Sequence, residues 1–107
     1  MISPDEVRAD ETAVGNAAVI LAGDYLNKIT GEKIERECRR YLDQGVRELI
    51  VDFSQTEIVN SIGVSILLGV IDSAAGAGAR VVFSDVNENT VELFESLGVT
   101  KHVTLQG

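Results

Sequence analysis

The apolar residues in the amino-terminal half of the chain follow two different periods. Residues 5–13 are mostly polar with scattered apolar positions, and the turn sequence Gly15-Asn16 separates them from the apolar run 17–22. This arrangement predicts a β-hairpin whose first strand lies at the edge of a sheet. Between residues 30 and 44, apolar side chains recur at helical spacing, and Gly45 follows as a stop signal. This second pattern predicts an amphipathic surface helix.

The rest of the chain alternates between short apolar runs and helical patterns. Buried strands are predicted over residues 46–53 and 80–83, and a short last strand over 99–105. Helices are predicted over residues 61–75 and 88–97, the second with Asn87 as its N-cap and Gly98 as its terminator. Strands that alternate with helices imply right-handed crossovers. The predicted fold is therefore one α/β domain over residues 1–107, with a mixed, mostly parallel β-sheet and helices packed on it.

The predicted helix over residues 61–75 has an unusual distribution of side chains. At 100° per residue its core face consists of Val64, Leu67, Leu68, Ile71, Ala74 and Ala75. The opposite stripe consists of Ser65, Gly69, Asp72 and Ser73, with Ile62 and Ile66 flanking it. Two interpretations stay open: a broad buried face in which loops cover both isoleucines, or a shallow docking surface of small residues with apolar edges.

The composition and charge of the chain limit which partners and which cellular compartment we expect. The chain has 107 residues, of which 45% are hydrophobic and 24% charged, as in an ordinary globular domain. Its net charge of −8 would repel a phosphate backbone, so we expect no nucleic-acid partner. The single cysteine, Cys38, cannot form an internal disulfide, and the sequence shows neither a leader nor a long apolar run. We therefore expect a cytoplasmic protein that does not insert into membranes.

The sequence offers little chemistry for catalysis. Its only histidine, His102, stands in the predicted last strand, and one Cys with one His cannot complete a four-ligand metal site. No glycine-rich phosphate loop follows a strand. We expect no enzyme activity, no metal and no cofactor. Asp52, at the carboxyl end of the central strand, could accept phosphate as in a response-regulator receiver, but Asp24 lacks the acidic neighbour that magnesium would need. The favoured interpretation of Asp52 is an acceptor of backbone N–H groups that orders the following loop.

Ser61 precedes an apolar helical run and has two interpretations. As a helix N-cap it would contribute about 1 kcal/mol and need no other role. The same position also presents a hydroxyl beside free backbone N–H groups and the positive end of the helix, where a phosphate is tolerated.

The segment from Asp52 to Gly69 resembles the STAS domain of the bacterial anti-sigma factor antagonists. The matching positions are Asp52-Phe53-Ser54, Ser61, Gly63 and the helix over residues 64–71. Outside this segment, Gly23-Asp24, residues 76–80 and residues 92–99 also fall in family-like order, so the resemblance extends from about residue 7 to residue 103. Within the segment, Asn60 replaces an Asp and Ile62 replaces a second Ser or Thr. In addition, Tyr25 and Leu26 occupy the stretch after Gly23 where the family has a further Asp.

The resemblance implies a partner-switching function. Ser61 matches the serine that an anti-sigma factor with serine kinase activity phosphorylates, and a phosphatase would restore it. Binding of that partner would release a sigma factor. The implied partner-binding residues are Asp24, Asn60, Ser61, Ile62, Ser65, Ile66, Gly69, Asp72 and Ser73, and the implied structural loop residues are Asp52, Ser54 and Gly63. Alternative functions are an adaptor or scaffold subunit, as in a stressosome-like or lipid-transport complex, and a sensor of a small ligand or nucleotide.

Overall fold

The computed structural model describes residues 13–14 and 16–107 of the chain. In chain order the elements are β1 (Ala13–Val14), β2 (Ala17–Leu21), β3 (Tyr25–Leu26), α1 (Lys28–Asp43), β4 (Glu48–Asp52), β5 (Ile58–Val59), α2 (Ser61–Gly76), β6 (Arg80–Ser84), α3 (Glu88–Ser96), a 3-10 helix (Val99–Lys101) and β7 (Thr104–Gln106).

Five of these strands form one mixed sheet in the order β1-β2-β4-β6-β7. The β1 strand is antiparallel to β2, and every other neighbouring pair in this sheet is parallel. The predicted fold class, a mostly parallel sheet with helices, is thus confirmed. The edge hairpin is confirmed for Ala13–Val14, whereas residues 5–12 of its predicted first strand and the turn residue Gly15 lie outside the described residues.

The core forms where the helices cover one side of the strands. Burial alternates along β2, with Ala18 and Ile20 buried, and along β4, with Leu49 and Val51 buried. At the carboxyl ends of the strands, the rings of Phe53, Phe83 and Phe94 contact one another, with centroid separations of 4.9, 5.4 and 5.6 Å. Edge and tilted contacts of this kind add to area burial. They anchor α3 and the start of the loop after β4 to the same core.

Two predicted elements differ in the structure. The predicted strand over residues 99–105 begins as a 3-10 helix and is extended only at Thr104–Gln106. Gly98 adopts a left-handed conformation at φ +79°, and the following turn is closed by a hydrogen bond from His102 N to Val99 O of 3.0 Å. Ala75, assigned to the core face of α2, is exposed, so that prediction was wrong.

Candidate partner-binding site

The two loops that follow β2 and β4, residues 22–27 and 53–60, form a platform that positions the start of α2. The loops that follow these two strands meet in a second, two-stranded sheet, where β3 pairs with β5 in parallel. The hydroxyl of the buried Thr56 donates to Gly23 O at 2.5 Å, and Asn60 N donates to Leu26 O at 2.7 Å. Backbone acceptors of the loop after β2 therefore hold the loop after β4. Loops at this edge of a parallel sheet commonly carry functional residues.

Gly63 sets how closely α2 approaches the start of α1. A methyl group built on Gly63 would lie 2.9 Å from the Leu26 Cγ, 3.0 Å from Asn27 O and 3.1 Å from the Leu26 carbonyl carbon. Two of these three atoms belong to the backbone and cannot rotate away. The glycine thus lets the two helix starts lie against each other, which explains the structural role inferred for it from the sequence.

At the start of α2, the N-cap and the serine are two different, adjacent residues. Asn60 is the N-cap, and its side-chain oxygen accepts the N–H of Ile62 at 2.7 Å. The interpretation of Ser61 as the N-cap was therefore wrong. Ser61 occupies the first helical position, is exposed, and its hydroxyl forms no hydrogen bond within the described part of the chain. The side-chain oxygen of Asn60 accepts the hydrogen bond that an Asp carboxylate could accept at this position. The Ser61 hydroxyl is therefore not needed to cap the helix.

The loop after β4 contains the two polar residues that the sequence assigned to structure. The Asp52 carboxylate accepts the N–H of Ser54 at 2.8 Å, which closes an Asx turn immediately after the strand. The main-chain oxygen of Asp52 accepts the N–H of Ala22 at 2.9 Å. Asp24 is exposed, and its main-chain oxygen accepts the N–H of Glu57 at 2.9 Å, so it lies beside the start of β5. Asp24 contributes backbone to the platform, and its carboxylate forms no ion pair with any residue in the described part of the chain.

The small-residue stripe of α2 is exposed along its length. Ser65, Gly69, Asp72 and Ser73 are all exposed, and the Ser65 hydroxyl donates to Ser61 O at 3.1 Å. Asp72 lies about 16 Å along the helix from Ser61, because each helical residue rises about 1.5 Å. The stripe is therefore too long for every member to lie near the serine.

The two isoleucines beside this stripe have different environments. Ile62 is 55% exposed, next to Ser61. Ile66 is half-buried, and a methyl group built on Gly31 of α1 would lie 3.3 Å from its Cδ1. Ile66 therefore packs between α1 and α2, so a substitution there would disturb helix packing as well as any docking. Ile62 is free to contact a partner.

Three further apolar residues lie at the Ser61 end of the domain and were not found from the sequence. Tyr25 and Ile58 are register partners in the small sheet and are 39% and 57% exposed, and Ile29, in the first turn of α1, is 74% exposed. Together with Ile62 they form what we call the apolar rim. Strands of two residues are too short to show a period in the sequence. The apolar pairs Tyr25-Leu26 and Ile58-Val59 within polar loops could nevertheless have indicated the apolar rim. An exposed cluster of large apolar side chains is typical of an interaction surface.

The platform also brings two helix starts together. The contact between Gly63 and Asn27 joins the first turn of α2 to the N-cap of α1, and neither helix has an acidic residue in its first turn. Helix N-termini carry partial positive charge and free N–H groups. The surroundings of Ser61 therefore favour a negative group over a positive one.

Comparison with known families identifies this arrangement. The STAS domain family matches residues 12–106. The chain belongs to the STAS domain family. Comparison with curated protein sequences finds no match.

Solved structures share this STAS fold at low sequence identity. The anti-sigma factor antagonist SpoIIAA in its unphosphorylated form is 18% identical, with 91% of this chain and 84% of that chain covered and a TM-score of 0.72. The protein TM1081 from Thermotoga maritima, described as a putative anti-sigma factor antagonist, is 14% identical over 88% of this chain and 81% of that chain, with a TM-score of 0.77. The STAS domain of a SulP transporter from Vibrio cholerae is 19% identical over 92% of this chain and 79% of that chain, with a TM-score of 0.72. At these identities the similarity establishes the fold.

The described residues of this STAS domain contain neither a metal-binding cluster nor a membrane-spanning helix. No group of three or more His, Cys, Asp or Glu side chains there could hold a metal ion. Among the helices described here, none has the length and apolar character needed to cross a bilayer.

Proposed function

We propose that this STAS domain is a cytoplasmic anti-sigma factor antagonist that binds an anti-sigma factor with serine kinase activity and is switched by phosphorylation of Ser61. The observation that carries the proposal is the position of Ser61. Its hydroxyl is exposed at the first position of α2, and Asn60 performs the capping that would otherwise occupy it. A partner kinase can therefore reach the hydroxyl without unfolding the helix.

The surroundings of Ser61 would accommodate a phosphate. A phosphoserine carries about −1.5 to −2 charges near neutral pH. At Ser61 these charges would lie at the positive end of α2 and beside the N-terminus of α1, with no acidic residue in either first turn. The phosphorylated domain should therefore keep its fold. SpoIIAA in the phosphorylated form resembles this chain with a TM-score of 0.69, against 0.72 for the unphosphorylated form, which supports this expectation.

The apolar rim explains how phosphorylation would release the partner. In the unphosphorylated state the partner would bury Ile62, Ile58 and the neutral Ser61 hydroxyl together. Phosphorylation would place a dianion within the same apolar interface, where it would have to lose its hydration. A penalty of about 2.7 kcal/mol is enough for a hundredfold loss of affinity. The switch thus requires a change in charge at Ser61 and no change in fold.

In the proposed function, the partners carry out both the addition and the removal of the phosphate. We propose that the chain has no enzyme activity of its own, that the anti-sigma factor transfers the phosphoryl group, and that a separate phosphatase restores Ser61. The exposed stripe at Ser65 and Gly69 extends the proposed contact surface along α2, and Asp24 extends it across the platform.

A second candidate function is that of an adaptor domain within a larger assembly. The similarity to the SulP transporter STAS domain, with a TM-score of 0.72, favours it, because that domain is part of a transporter. An adaptor of this kind would bind its partner whether or not Ser61 carries a phosphate, so the two functions differ in a measurable way.

Phosphorylation in vitro tests the proposal. The chain is incubated with ATP and each anti-sigma factor kinase of its source organism, and its intact mass is measured. One added phosphate is expected with the cognate kinase, absent in Ser61→Ala and retained in the control Ser65→Ala, which removes an exposed hydroxyl one turn along the same helix. Phosphate on Ser54, Thr56 or Ser65 would show that the site was assigned to the wrong residue.

A further inference from the structure

An open cleft lies beside the carboxyl-terminal half of α2, at the opposite end of this helix from Ser61. It has a volume of about 420 Å³ and lies between α2, the start of β6 and the segment from the 3-10 helix to β7. A contiguous extension of about 170 Å³ shares Ile71, Ala75 and His102 with it and reaches Leu68 and Asp72. Ser61 is about 15 Å from Ile71 along the helix. The main cleft is thus separate from Ser61, and only its extension reaches Asp72 of the small-residue stripe.

The cleft explains why part of the core side of α2 is not covered. Val64, Leu67 and Ile71 on this side of the helix are buried, but Leu68 is half-buried and Ala75 is exposed, although both fall on the same side at 100° per residue. The chain after Gly98 turns into a 3-10 helix here and leaves the space open. The floor and walls combine apolar side chains, Ile71, Val81 and Val103 among them, with a nearly equal share of polar surface.

The charged groups around the main cleft are basic. Arg80, Lys101 and His102 line it, and no carboxylate of the described residues does, although the chain as a whole has a net charge of −8. The Arg80 guanidinium is already paired with Glu48, at 2.7 and 3.0 Å. Lys101 forms no ion pair with any described residue, so its ammonium group is the positive charge available to a ligand. Asp72 lines the extension and not the main cleft.

We propose that this cleft binds a small anion with an apolar body, of the class of a medium-chain carboxylate. The apolar body would cover Ile71, Ala75 and Val103, and the anionic group would be held by Lys101 with a hydrogen bond from His102. The volume lies within the range of small-molecule sites. The nearly equal polar and apolar parts of the lining fit a ligand that has both an apolar body and an anionic group. The inference does not depend on the role proposed for Ser61.

Titration of the full chain with octanoate, followed through backbone amide shifts in NMR spectra, tests this inference. Saturable shifts are expected at Ala75 and Val103, and octanol and octylammonium, which have the same chain length, should bind more weakly. Lys101→Gln should weaken the binding of octanoate by about three- to fivefold, as expected for a partly exposed ion pair. The control Lys28→Gln removes the same charge at the start of α1 and should leave octanoate binding unchanged.

A second variant tests the apolar part of the site. Ala75→Phe would fill the cleft from an exposed helical position and should abolish the shifts, while a thermal melt verifies that the variant is folded. Equal binding of octylammonium, unchanged octanoate binding by Lys101→Gln, or shifts confined to the apolar rim would each overturn the proposal.

Discussion

Replacement of Gly63 by alanine tests the close approach of α1 and α2 that positions Ser61. The added methyl group would meet the Leu26 Cγ at 2.9 Å and the Asn27 carbonyl oxygen at 3.0 Å, well inside ordinary contact distances. Because Asn27 is the N-cap of α1 and its side chain also accepts the N–H of Thr30 at 2.9 Å, the backbone there is held and cannot move aside without loss. The helix start at Ser61 would have to shift instead.

The magnitude follows from two opposing terms. Overpacking of this kind costs about 1–3 kcal/mol, while alanine is favoured over glycine in a helix by about 1 kcal/mol. The difference is a loss of about 0–2 kcal/mol in the free energy of unfolding. We expect Gly63→Ala to lie in the upper half of this range, because two of the three contacts are with backbone atoms. For a domain of this size each kcal/mol corresponds to about 4–8 °C in Tm.

Gly69→Ala is the matched control, because it makes the same substitution in the same helix. A methyl group at Gly69 would meet nothing within 4 Å. Only the preference of a helix for alanine over glycine then changes the stability, and the variant should be more stable than the wild type by up to about 1 kcal/mol. Urea denaturation followed by circular dichroism measures both. A Gly63→Ala variant as stable as Gly69→Ala would refute the close packing inferred here.

Two further predictions concern the α2 cap and the buried thiol. Asn60→Ala should lower the free energy of unfolding by about 1 kcal/mol in the same assay, whereas Asn60→Asp should retain the cap; equal losses in both variants would contradict the capping role. Burial, with smaller contributions from Glu37 and Glu35, raises the pKa of the Cys38 thiol from 9.0 to about 12, so the folded protein should resist iodoacetamide at mildly alkaline pH and react fully once denatured. Because the unfolded thiol ionises first, Cys38 should make the free energy of unfolding fall as the pH rises from about 9 toward 12, a slope that Cys38→Ala should lack.

The sequence predicted the longer elements well because their periods are repeated several times. The helix predicted over residues 30–44 is Lys28–Asp43, and the strand predicted over residues 46–53 contains the observed Glu48–Asp52. The helix predicted over residues 61–75 is Ser61–Gly76. Such agreement is expected where burial of one face decides the structure.

The details that determine the site were harder to predict. Asn60 and Ser61 are both good N-cap residues, and only the exact start of α2 decides between them. The apolar rim depends on two strands of two residues each, which are too short to show a period. Ala75 falls on the core side of α2, but its exposure depends on the path of the chain after Gly98, which local sequence did not reveal.

The central claim is that phosphorylation of Ser61 changes affinity for a partner and leaves the fold intact. The most direct measurement is calorimetric titration of the cognate anti-sigma factor with the unphosphorylated chain and with the chain phosphorylated at Ser61, each also examined by thermal melting. We predict that phosphorylation weakens binding by about a hundredfold or more, equivalent to at least about 2.7 kcal/mol, with a cooperative melt in both forms. Equal affinity of the two forms, or loss of the melting transition on phosphorylation, would contradict the account.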